Sequence, residues 1–337
     1  MSKKHASSPS GLPTPASLPR AEPIIVLGAT GQVGAACVER LRSAGRRVVP
    51  VTRQDVDLSK PPADVRRDFS TFLDANLAEP ETSPQASQPV VLNLAAWTAV
   101  DDAERIMKAS KGNTGDWLNI IHINGLGPIE VAKECQERGI PMVQVSTDYV
   151  FGGGAQAMAA PCGTAIGITP DATPEPANAY GRSKLIGEHG VFAAGGTVVR
   201  TAWVFSGPTG PGRDFVDTMA TLANKKVEPK VVDDQYGRPT FAGHLADALI
   251  EVCDRVGVLP KILHATGSGE LTTWWEFAQA IFEATGNDPE RVSPILTSGY
   301  PTPAPRPTGI YLDIRDWEGA GLNPLPAWRD GLREALG

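Results

Sequence analysis

Short apolar runs alternate with amphipathic stretches over the first two hundred residues of the chain. Five such runs read as strands, and the third and fourth are nearly continuous in apolar side chains, as expected of parallel strands buried on both faces. They occupy residues 23–27, 46–51, 89–96, 140–145 and 197–200. The stretch from Ile120 to Arg138 has helical spacing and ends before Gly139, a typical stop signal. Strands that alternate with helices predict an α/β fold with a doubly wound parallel sheet, which binds ligands beyond the carboxyl ends of its strands.

The pattern changes beyond residue 203, where Gly and Pro become dense and the elements look shorter. Thr273–Glu276 has the form of a capping box, and apolar residues at helical spacing follow it up to Gly286. Apolar residues from Trp328 to Leu336 predict an amphipathic helix at the end of the sequence. We therefore expect a smaller α/β domain in this half, placed over the substrate.

Three segments follow from these patterns. Residues 1–22 are rich in Ser, Pro and Ala and are expected to form a disordered tail. Residues 23–203 are expected to form a Rossmann domain that binds NAD(P). Residues 204–337 are expected to form the substrate-binding domain, which can share segments with the first.

Composition narrows the classes of function. The 337 residues include 41% hydrophobic side chains, enough for a large core. The net charge of −7 argues against nucleic acid or an anionic membrane surface as a partner. No apolar run approaches the roughly 20 residues of a membrane-spanning helix. The four cysteines lie far apart and, like the few histidines, lack metal-ligand spacing, so we expect reduced thiols, a cytoplasmic protein and no metal site.

A glycine-rich turn joins the first predicted strand to a helical stretch. Its sequence is Gly-Ala-Thr-Gly-Gln-Val-Gly over residues 28–34, and strand, turn and helix in this order are the context of a dinucleotide-binding fingerprint. Gly28 would allow the tight turn, Gly31 would let the backbone approach a pyrophosphate, and Gly34 would let the helix pack on the strand. The alternative is an ordinary turn between a strand and a helix.

Arg53 follows the second predicted strand, about 20 residues after the glycines. An Asp or Glu near this position binds the ribose 2′-hydroxyl of NAD, whereas an Arg suits the 2′-phosphate of NADP. We therefore expect NADPH, with NADH still possible because Asp55 and Asp57 lie close by. Arg53 could instead be a solvated loop cation.

Tyr180 and Lys184 lie one helical turn apart in the sequence Tyr-Gly-Arg-Ser-Lys. Residues at positions i and i+4 share a helix face, so the Lys184 ammonium can lie beside the Tyr180 hydroxyl. A nearby cation lowers the pKa of a phenol, which predicts that Tyr180 donates a proton to a carbonyl group under reduction by hydride.

Several longer motifs accompany these patterns. They are GATGQVG at 28–34, NLAAWTAVDDAE at 93–104, STDYVF at 146–151, YGRSK at 180–184, RTAWVF at 200–205, DQYGRPT at 234–240 and YPTPAPRP at 300–307. In this set the chain resembles the extended short-chain dehydrogenase/reductase family, and within it the dTDP-4-dehydrorhamnose reductases, from about Ile24 to Leu336. The resemblance implies reduction of the C4 ketone of dTDP-4-dehydro-L-rhamnose by NADPH, with a homodimer as a possible assembly.

The resemblance also implies roles for individual residues. Tyr180 would donate the proton, Lys184 would lower its pKa and hold the nicotinamide ribose, and Thr147, with Ser146 as its rival, would bind the substrate carbonyl region. The expected cofactor contacts are Gly28, Thr30, Gly31, Gln32, Val33, Gly34, Arg53, Asp57, Leu58, Ala95, Ala96, Tyr180 and Lys184. The expected substrate contacts are Thr98, Val100, Asp148, Tyr149, Trp203, Gln235 and Arg306, with Gln235 and Arg306 at the diphosphate end.

Four of these substrate residues have structural alternatives. Asp148 could cap a turn, Trp203 could pack between the lobes, Gln235 could be a loop residue, and Arg306 could be a solvated charge on an extended segment. The Trp274–Trp275 pair is expected to serve packing.

The sequence departs from the family pattern at several positions. Thr308 and Gly309 replace a Ser that often follows the last motif, and Ala35 and Ala36 occupy the region where some members carry a metal-binding Glu. The segments 107–118 and 152–173 look longer than usual. Two other functions stay open: a non-catalytic regulatory subunit like that of methionine adenosyltransferase, and a reductase or epimerase of another nucleotide sugar.

Overall fold

The computed structural model describes residues 20–77, 88–110, 115–152 and 165–337. Most of the predicted disordered tail, and the middle parts of the two long segments at 107–118 and 152–173, lie outside the described residues. No helix in the described ranges is long and apolar enough to cross a membrane.

The described residues form strands and helices in an alternating order. The strands are β1 (Ile24–Leu27), β2 (Val48–Val51), β3 (Val90–Asn93), β4 (Met142–Thr147), β5 (Ile166–Ile168), β6 (Thr197–Thr201), β7 (Val204–Phe205), β8 (Lys230–Val232), β9 (Tyr236–Gly237), β10 (Thr240–Phe241), β11 (Ile262–His264), β12 (Thr272–Thr273), β13 (Ser293–Ile295) and β14 (Ile310–Leu312). The α-helices are α1 (Gln32–Ser43), α2 (Pro62–Asn76), α3 (Val100–Ala109), α4 (Gly115–Ile121), α5 (Gly127–Arg138), α6 (Ala179–Ala193), α7 (Phe215–Asn224), α8 (Ala242–Arg255), α9 (Trp274–Ala284), α10 (Arg315–Gly319) and α11 (Trp328–Leu336).

Six parallel strands form the central sheet in the order β2-β1-β3-β4-β6-β11. The predicted parallel sheet with flanking helices is therefore confirmed. The connections from β1 lead to one side of the sheet and those from β3 lead to the other, so the chain order reverses between these two strands. A crevice opens at such a point beyond the carboxyl ends of the strands, and the glycine-rich turn lies there.

Both faces of the sheet are covered by apolar side chains. On one face, Leu41 of α1 and Leu249 of α8 are fully buried in the same cluster as the strand residue Val26. On the other face, Phe69 of α2 packs in a cluster with Val131 of α5. Each such buried side chain stabilises the fold by roughly 1.5–3 kcal/mol, which explains the nearly continuous apolar runs of the strands.

The chain returns to the central sheet after it has entered the smaller lobe. Strand β11 pairs with β6, and helix α8 packs against α1, although both come from beyond residue 203. In the opposite direction, β5 pairs with β14 near the end of the chain. A division of the chain at residue 203 therefore cuts through the sheet.

The smaller lobe has an apolar core of its own around Phe277, Phe282 and Trp328, all fully buried. The predicted capping box at the start of α9 is present, with the Thr273 side chain and the Glu276 side chain each accepting a backbone N–H. The predicted C-terminal helix is also present as α11.

The predicted continuous helix from Ile120 to Arg138 is interrupted. A π-helical turn at His122–Leu126 separates α4 from α5. This turn packs tightly on α6, because a Cβ on Gly187 would lie 2.3 Å from the backbone oxygen of Asn124. The apolar periodicity of the sequence gave no sign of the extra residue in this turn, since a π turn changes the register by a single position.

Candidate active site

The glycine-rich turn leaves room for a ligand on one side only. Gly28 has a φ of +74°, a conformation that favours glycine, and a Cβ at this residue would lie 2.7 Å from the backbone nitrogen of Ala95. A Cβ on Gly34 would lie 2.1 Å from the Gly28 oxygen. By contrast, a Cβ on Gly31 would meet only the Gly28 oxygen at 3.4 Å. The turn is thus closed against the strands and open toward the crevice.

Helix α1 begins directly after this turn, and no side chain caps its N-terminus. The free N–H groups of a first helical turn, together with the helix dipole, favour a phosphate group. The open face of Gly31 and the uncapped helix therefore fit the pyrophosphate of a dinucleotide.

A smaller cavity of about 320 Å³ lies on the β2 side of the turn. Arg53 lines it with an exposed side chain, whose Nε lies 3.2 Å from Asp57 Oδ2. Asp55 is occupied elsewhere, since it accepts hydrogen bonds from the Thr52 backbone N–H and hydroxyl. Arg53 is therefore the side chain at this cavity that can meet a 2′-phosphate.

Tyr180 and Lys184 lie in the first turns of α6, and both are buried. The buried side chain of Asn178 caps this helix by accepting the Gly181 N–H at 2.8 Å. Gly181 lets the helix approach the end of β4, because a Cβ there would lie 2.0 Å from the Tyr149 oxygen. Helix α6 thus places the Tyr180 phenol at the carboxyl end of the sheet.

Lys184 does not act on Tyr180 in the way that the spacing predicted. Its Nζ donates a hydrogen bond to the backbone oxygen of Val145 at 2.8 Å. Burial, and next the nearby Asp148 carboxylate, raise the pKa of Tyr180 above its ordinary value. The expected lowering of the Tyr180 pKa by Lys184 is therefore wrong for this structure, and Tyr180 holds its proton at neutral pH. Burial lowers the pKa of Lys184 to about 8.

Three polar side chains at the end of β4 face the same crevice. The Thr147 hydroxyl donates to Asp148 Oδ1 at 3.0 Å, accepts the Tyr149 N–H at 3.2 Å and is hydrogen-bonded with Tyr180. Burial raises the pKa of Asp148 to about 6. The Ser146 Oγ is buried and has no hydrogen-bond partner among the described residues. The Ser146 oxygen is thus enclosed by protein atoms, whereas the Thr147 hydroxyl is already hydrogen-bonded at the crevice.

Trp203 forms an aromatic wall with Trp274. The two rings stack with centroids 3.9 Å apart and an angle of 17° between their planes. Trp203 has a φ of 52°, unusual for a bulky residue, and backbone strain of this kind is often found at functional sites. Gly237 makes room for the ring, because a Cβ there would lie 2.6 Å from Trp203 Cε2.

The Gln32 side chain links the glycine-rich turn to the smaller lobe. Its Nε2 donates to Ser206 Oγ at 2.9 Å and to Asp214 Oδ2 at 3.0 Å. Asp214 is the N-cap of α7. Gln32, which was expected to contact the cofactor, therefore also links the two lobes.

Most of the predicted site residues come together around one crevice. The larger cavity of this crevice has a volume of about 740 Å³. The predicted site residues that line it are Gly28, Thr30, Gly31, Gln32, Val33, Gly34, Ala96, Thr98, Val100, Thr147, Asp148, Tyr149, Tyr180, Lys184 and Trp203. The smaller cavity shares Gly28, Thr30, Gly31 and Ala96 and adds Arg53, Asp57, Leu58 and Ala95.

Gln235 and Arg306 lie apart from both cavity linings. The Gln235 amide donates to the Thr297 hydroxyl at 3.0 Å. Arg306 pairs with both carboxylate oxygens of Asp101, one of them at 3.0 Å, and is hydrogen-bonded with Tyr149. Arg306 is therefore a partly buried ion-pair partner and not the solvated charge that was its alternative. The predicted contact of both residues with the substrate diphosphate stays a prediction.

Asn124 is a site residue that the sequence reasoning missed. It lies in the π turn, where its side chain accepts the Trp97 N–H at 2.8 Å and donates to the Ser183 hydroxyl at 2.9 Å. Ser183 lies on α6 between Tyr180 and Lys184. Asn124 thus ties the helix of the candidate proton donor to the end of β3, and the run from Ile120 to Leu126 gave no local signal of this role.

Comparison with known proteins agrees with this geometry. The sequence model of the RmlD substrate binding domain matches residues 22–337. The dTDP-4-dehydrorhamnose reductase of Mycobacterium tuberculosis is 36% identical over 322 residues, which cover 94% of this chain and 93% of that protein. A probable dTDP-4,6-dihydroxy-2-methyloxan-3-one 4-ketoreductase of Streptomyces antibioticus is 37% identical, over 93% of this chain and 94% of that protein.

Among solved structures, the dTDP-4-dehydrorhamnose reductase of Bacillus anthracis in complex with NADP superposes with a TM-score of 0.73 at 27% identity. The match covers 93% of this chain and 98% of that chain. Sequence and fold therefore agree over nearly the whole length, and the chain belongs to the RmlD substrate-binding domain family.

Proposed function

We propose that this protein uses NADPH to reduce the C4 ketone of dTDP-4-dehydro-L-rhamnose to dTDP-L-rhamnose, with Tyr180 as the proton donor. The observation that carries the proposal is a protonated, buried phenol at the crevice that the glycine-rich turn also faces. A phenol with a raised pKa keeps its proton until a stronger base forms beside it. An alkoxide that develops during reduction is such a base, so Tyr180 suits the direction of reduction.

Individual residues of the chain have separate roles in this reaction. When bound, NADPH supplies the hydride that adds to C4 of the sugar. Tyr180 gives its proton to the C4 oxygen, so the ketone gains one hydride and one proton and becomes an alcohol. Lys184 donates one hydrogen bond to the Val145 oxygen, and its remaining N–H groups would hold the nicotinamide ribose. The carbonyl would lie beside Tyr180, near the end of β4.

Thr147 is proposed as the partner of the substrate carbonyl region, with Ser146 as its rival. The Thr147 hydroxyl bridges Asp148 and Tyr180, so it also orients the candidate donor. The Ser146 oxygen is enclosed by protein atoms and would have to turn toward the cavity to reach the substrate. Asp148, Tyr149, Thr98, Val100 and Trp203 are proposed as the walls of the sugar site.

Arg53 supports NADPH as the physiological cofactor. Its guanidinium is exposed at the smaller cavity, and the neighbouring Asp55 is turned toward Thr52. NADH would leave Arg53 without a phosphate partner, so it is expected to bind more weakly.

The names of the relatives support the substrate class. The Mycobacterium tuberculosis and Streptomyces antibioticus proteins are both named for reduction at position 4 of a dTDP-linked sugar, although the sugars differ. The dTDP nucleotide and reduction at position 4 are therefore the best supported parts of the proposal. The rhamnose configuration rests on fewer relatives, because the sugars of these two differ. A cytoplasmic location and a homodimer stay predictions.

The test uses the purified full chain with dTDP-4-dehydro-L-rhamnose generated in situ, and follows the NADPH absorbance. We expect one NADPH oxidised per dTDP-L-rhamnose formed. Tyr180→Phe removes only the hydroxyl, so turnover should fall by about 10²–10⁴-fold while NADPH affinity changes less than twofold. Full turnover by Tyr180→Phe would contradict the proton-donor role.

Absence of NADPH oxidation by a wild-type protein that binds NADPH would contradict the reductase proposal. The non-catalytic regulatory subunit would then become the leading alternative, and a search for a partner enzyme would follow. Turnover without net NADPH loss would instead indicate an epimerase.

A further inference from the structure

The larger cavity contains few charged side chains for a site that is proposed to take a nucleoside diphosphate. Among the described residues that line it, only Asp148, Lys184 and Arg213 carry a charge. Lys184 is buried, donates to the Val145 oxygen and has a pKa lowered to about 8. Asp148 is an acid. Arg213 is therefore the exposed cation of this lining.

Arg213 has an exposed side chain on the loop between β7 and α7, next to Pro211 and Gly212, which also line the cavity. Its side-chain partner is Asp217, with Nε 3.3 Å from Oδ2. An exposed pair of this kind contributes less than about 1 kcal/mol. The guanidinium is thus free to exchange this partner for a stronger one.

The loop is anchored immediately beside Arg213. The Asp214 carboxylate accepts the backbone N–H groups of Ser206 at 2.7 Å and Gly207 at 2.9 Å, so it closes both ends of the loop. It also accepts the Gln32 amide at 3.0 Å from the glycine-rich turn. The loop that carries Arg213 is therefore held in a fixed position relative to the cofactor turn.

We propose that Arg213 binds the diphosphate of the nucleotide-sugar substrate, and that the Gln32–Asp214 hydrogen bond positions its loop for this contact. The inference rests on the proposed function, because it requires a substrate with a diphosphate group. A guanidinium offers parallel N–H donors that match two phosphate oxygens. The diphosphate of a nucleotide sugar carries two negative charges, whereas the Asp217 carboxylate carries one. The diphosphate therefore attracts the Arg213 guanidinium more strongly than Asp217 does.

Arg213 and the candidate reacting groups line the same cavity from different elements. Tyr180 and Asp148 belong to α6 and the end of β4, whereas Arg213 and Trp274 belong to the smaller lobe. The candidates from sequence are engaged elsewhere: Arg306 is paired with Asp101, and Gln235 is bonded to Thr297. Neither lines the cavity.

The test measures the affinity of the holoprotein, saturated with NADP⁺, for two probes by calorimetry. The probes are dTDP and thymidine, which differ by the diphosphate alone. Arg213→Gln should weaken dTDP binding about tenfold, equivalent to about 1.4 kcal/mol, because it removes the charge-assisted contact to the diphosphate. Its affinity for thymidine should stay within twofold. The wild-type affinity for dTDP should also fall more steeply with salt than that of the variant.

Two further variants sharpen the result. Asp217→Asn removes the competing carboxylate, so it should strengthen dTDP binding about twofold. Gln32→Met keeps the side-chain length but removes the amide, so it should weaken dTDP binding severalfold with little change for thymidine. Thermal unfolding checks that each variant is folded. Arg213 is exposed, so its substitution should leave the melting temperature within about 2 °C.

An unchanged dTDP affinity of Arg213→Gln would overturn the inference, and so would an equal loss for both probes. A tenfold loss in Arg306→Gln with none in Arg213→Gln would return the diphosphate site to Arg306. The outcome is separable from the proposed function. If the wild-type protein reduces the keto sugar and Arg213→Gln keeps its KM, only the inference fails, whereas a wild-type protein that binds no dTDP contradicts both.

Discussion

Replacement of Asp148 with asparagine isolates the effect of one negative charge inside the candidate site. Burial raises the pKa of Asp148 from an ordinary 3.8 to about 6. Asparagine has nearly the same shape and keeps an oxygen that can accept the Thr147 hydroxyl, but it carries no charge. The difference in stability between the two proteins therefore reports the cost of the buried carboxylate.

The sign of the effect follows from proton binding. The folded protein holds the Asp148 proton more tightly than the unfolded chain does, so it binds more protons between about pH 4 and pH 6. Stability accordingly falls as the pH rises through this window, and the loss is complete above it. One unit of pKa corresponds to about 1.4 kcal/mol, so a shift near two units costs roughly 2–3 kcal/mol at pH 8. Asparagine avoids this cost.

Urea unfolding at a series of pH values measures the prediction, with the free energy of unfolding taken by linear extrapolation. Relative to wild type, Asp148→Asn should gain roughly 2–3 kcal/mol between pH 4 and pH 8. Asp101→Asn is a control of opposite sign, because its hydrogen bond with Arg306 lowers the pKa of Asp101. That variant should lose stability relative to wild type as the pH rises toward about 4, and the difference should then stay constant across the window in which Asp148 titrates. A difference for Asp148→Asn that does not change with pH would refute the reasoning.

Three other predictions concern the cofactor turn and the end of β4. Arg53→Asp should lower the ratio of kcat/KM for NADPH to kcat/KM for NADH at least tenfold. It replaces a guanidinium that suits the 2′-phosphate of NADPH with a carboxylate that suits the ribose 2′-hydroxyl of NADH, and an unchanged ratio would contradict the role of Arg53. Gly34→Ala places a methyl group 2.1 Å from a backbone oxygen and should cost at least about 2 kcal/mol of unfolding free energy, whereas Gly257→Ala, with open space around it, should change it by less than about 0.5 kcal/mol. Thr147→Val should lower kcat for the keto sugar with little effect on NADPH binding, whereas Ser146→Ala should change kcat less than Thr147→Val does; the reverse pattern would exchange the two roles.

The sequence predicted those features that local patterns determine. Apolar runs indicated the strands because a parallel strand is covered on both faces, as Ile25 and Val26 are by opposite clusters. Gly28 and Gly34 were assigned correctly to a tight turn and a close packing contact, since the backbone itself demands a missing Cβ at both. Helix ends followed from Thr273 and its capping box.

Features that depend on distant partners escaped prediction. The spacing of Tyr180 and Lys184 placed them on one helix face, but not the Val145 oxygen that takes the Lys184 hydrogen bond. The pairing of Arg306 with Asp101 was likewise not predicted, since Asp101 lies 205 residues earlier in the chain. The pairing of such side chains is decided by tertiary packing, for which a single sequence without relatives carries no local signal.

A buried ion pair holds the helix of the candidate proton donor against the central sheet. Arg200 of β6 donates to the Glu188 carboxylate at 2.7 Å, and Glu188 lies one helical turn after Lys184. The same guanidinium donates to the Pro170 oxygen at 3.1 Å and lies over the Phe151 ring, 4.9 Å from its centroid. Because both charges are buried, loss of either partner would cost about 3–5 kcal/mol. The pair thus fixes the helix of the candidate proton donor to β6 of the central sheet and to the segment around Pro170, so the position of Tyr180 depends on this pair.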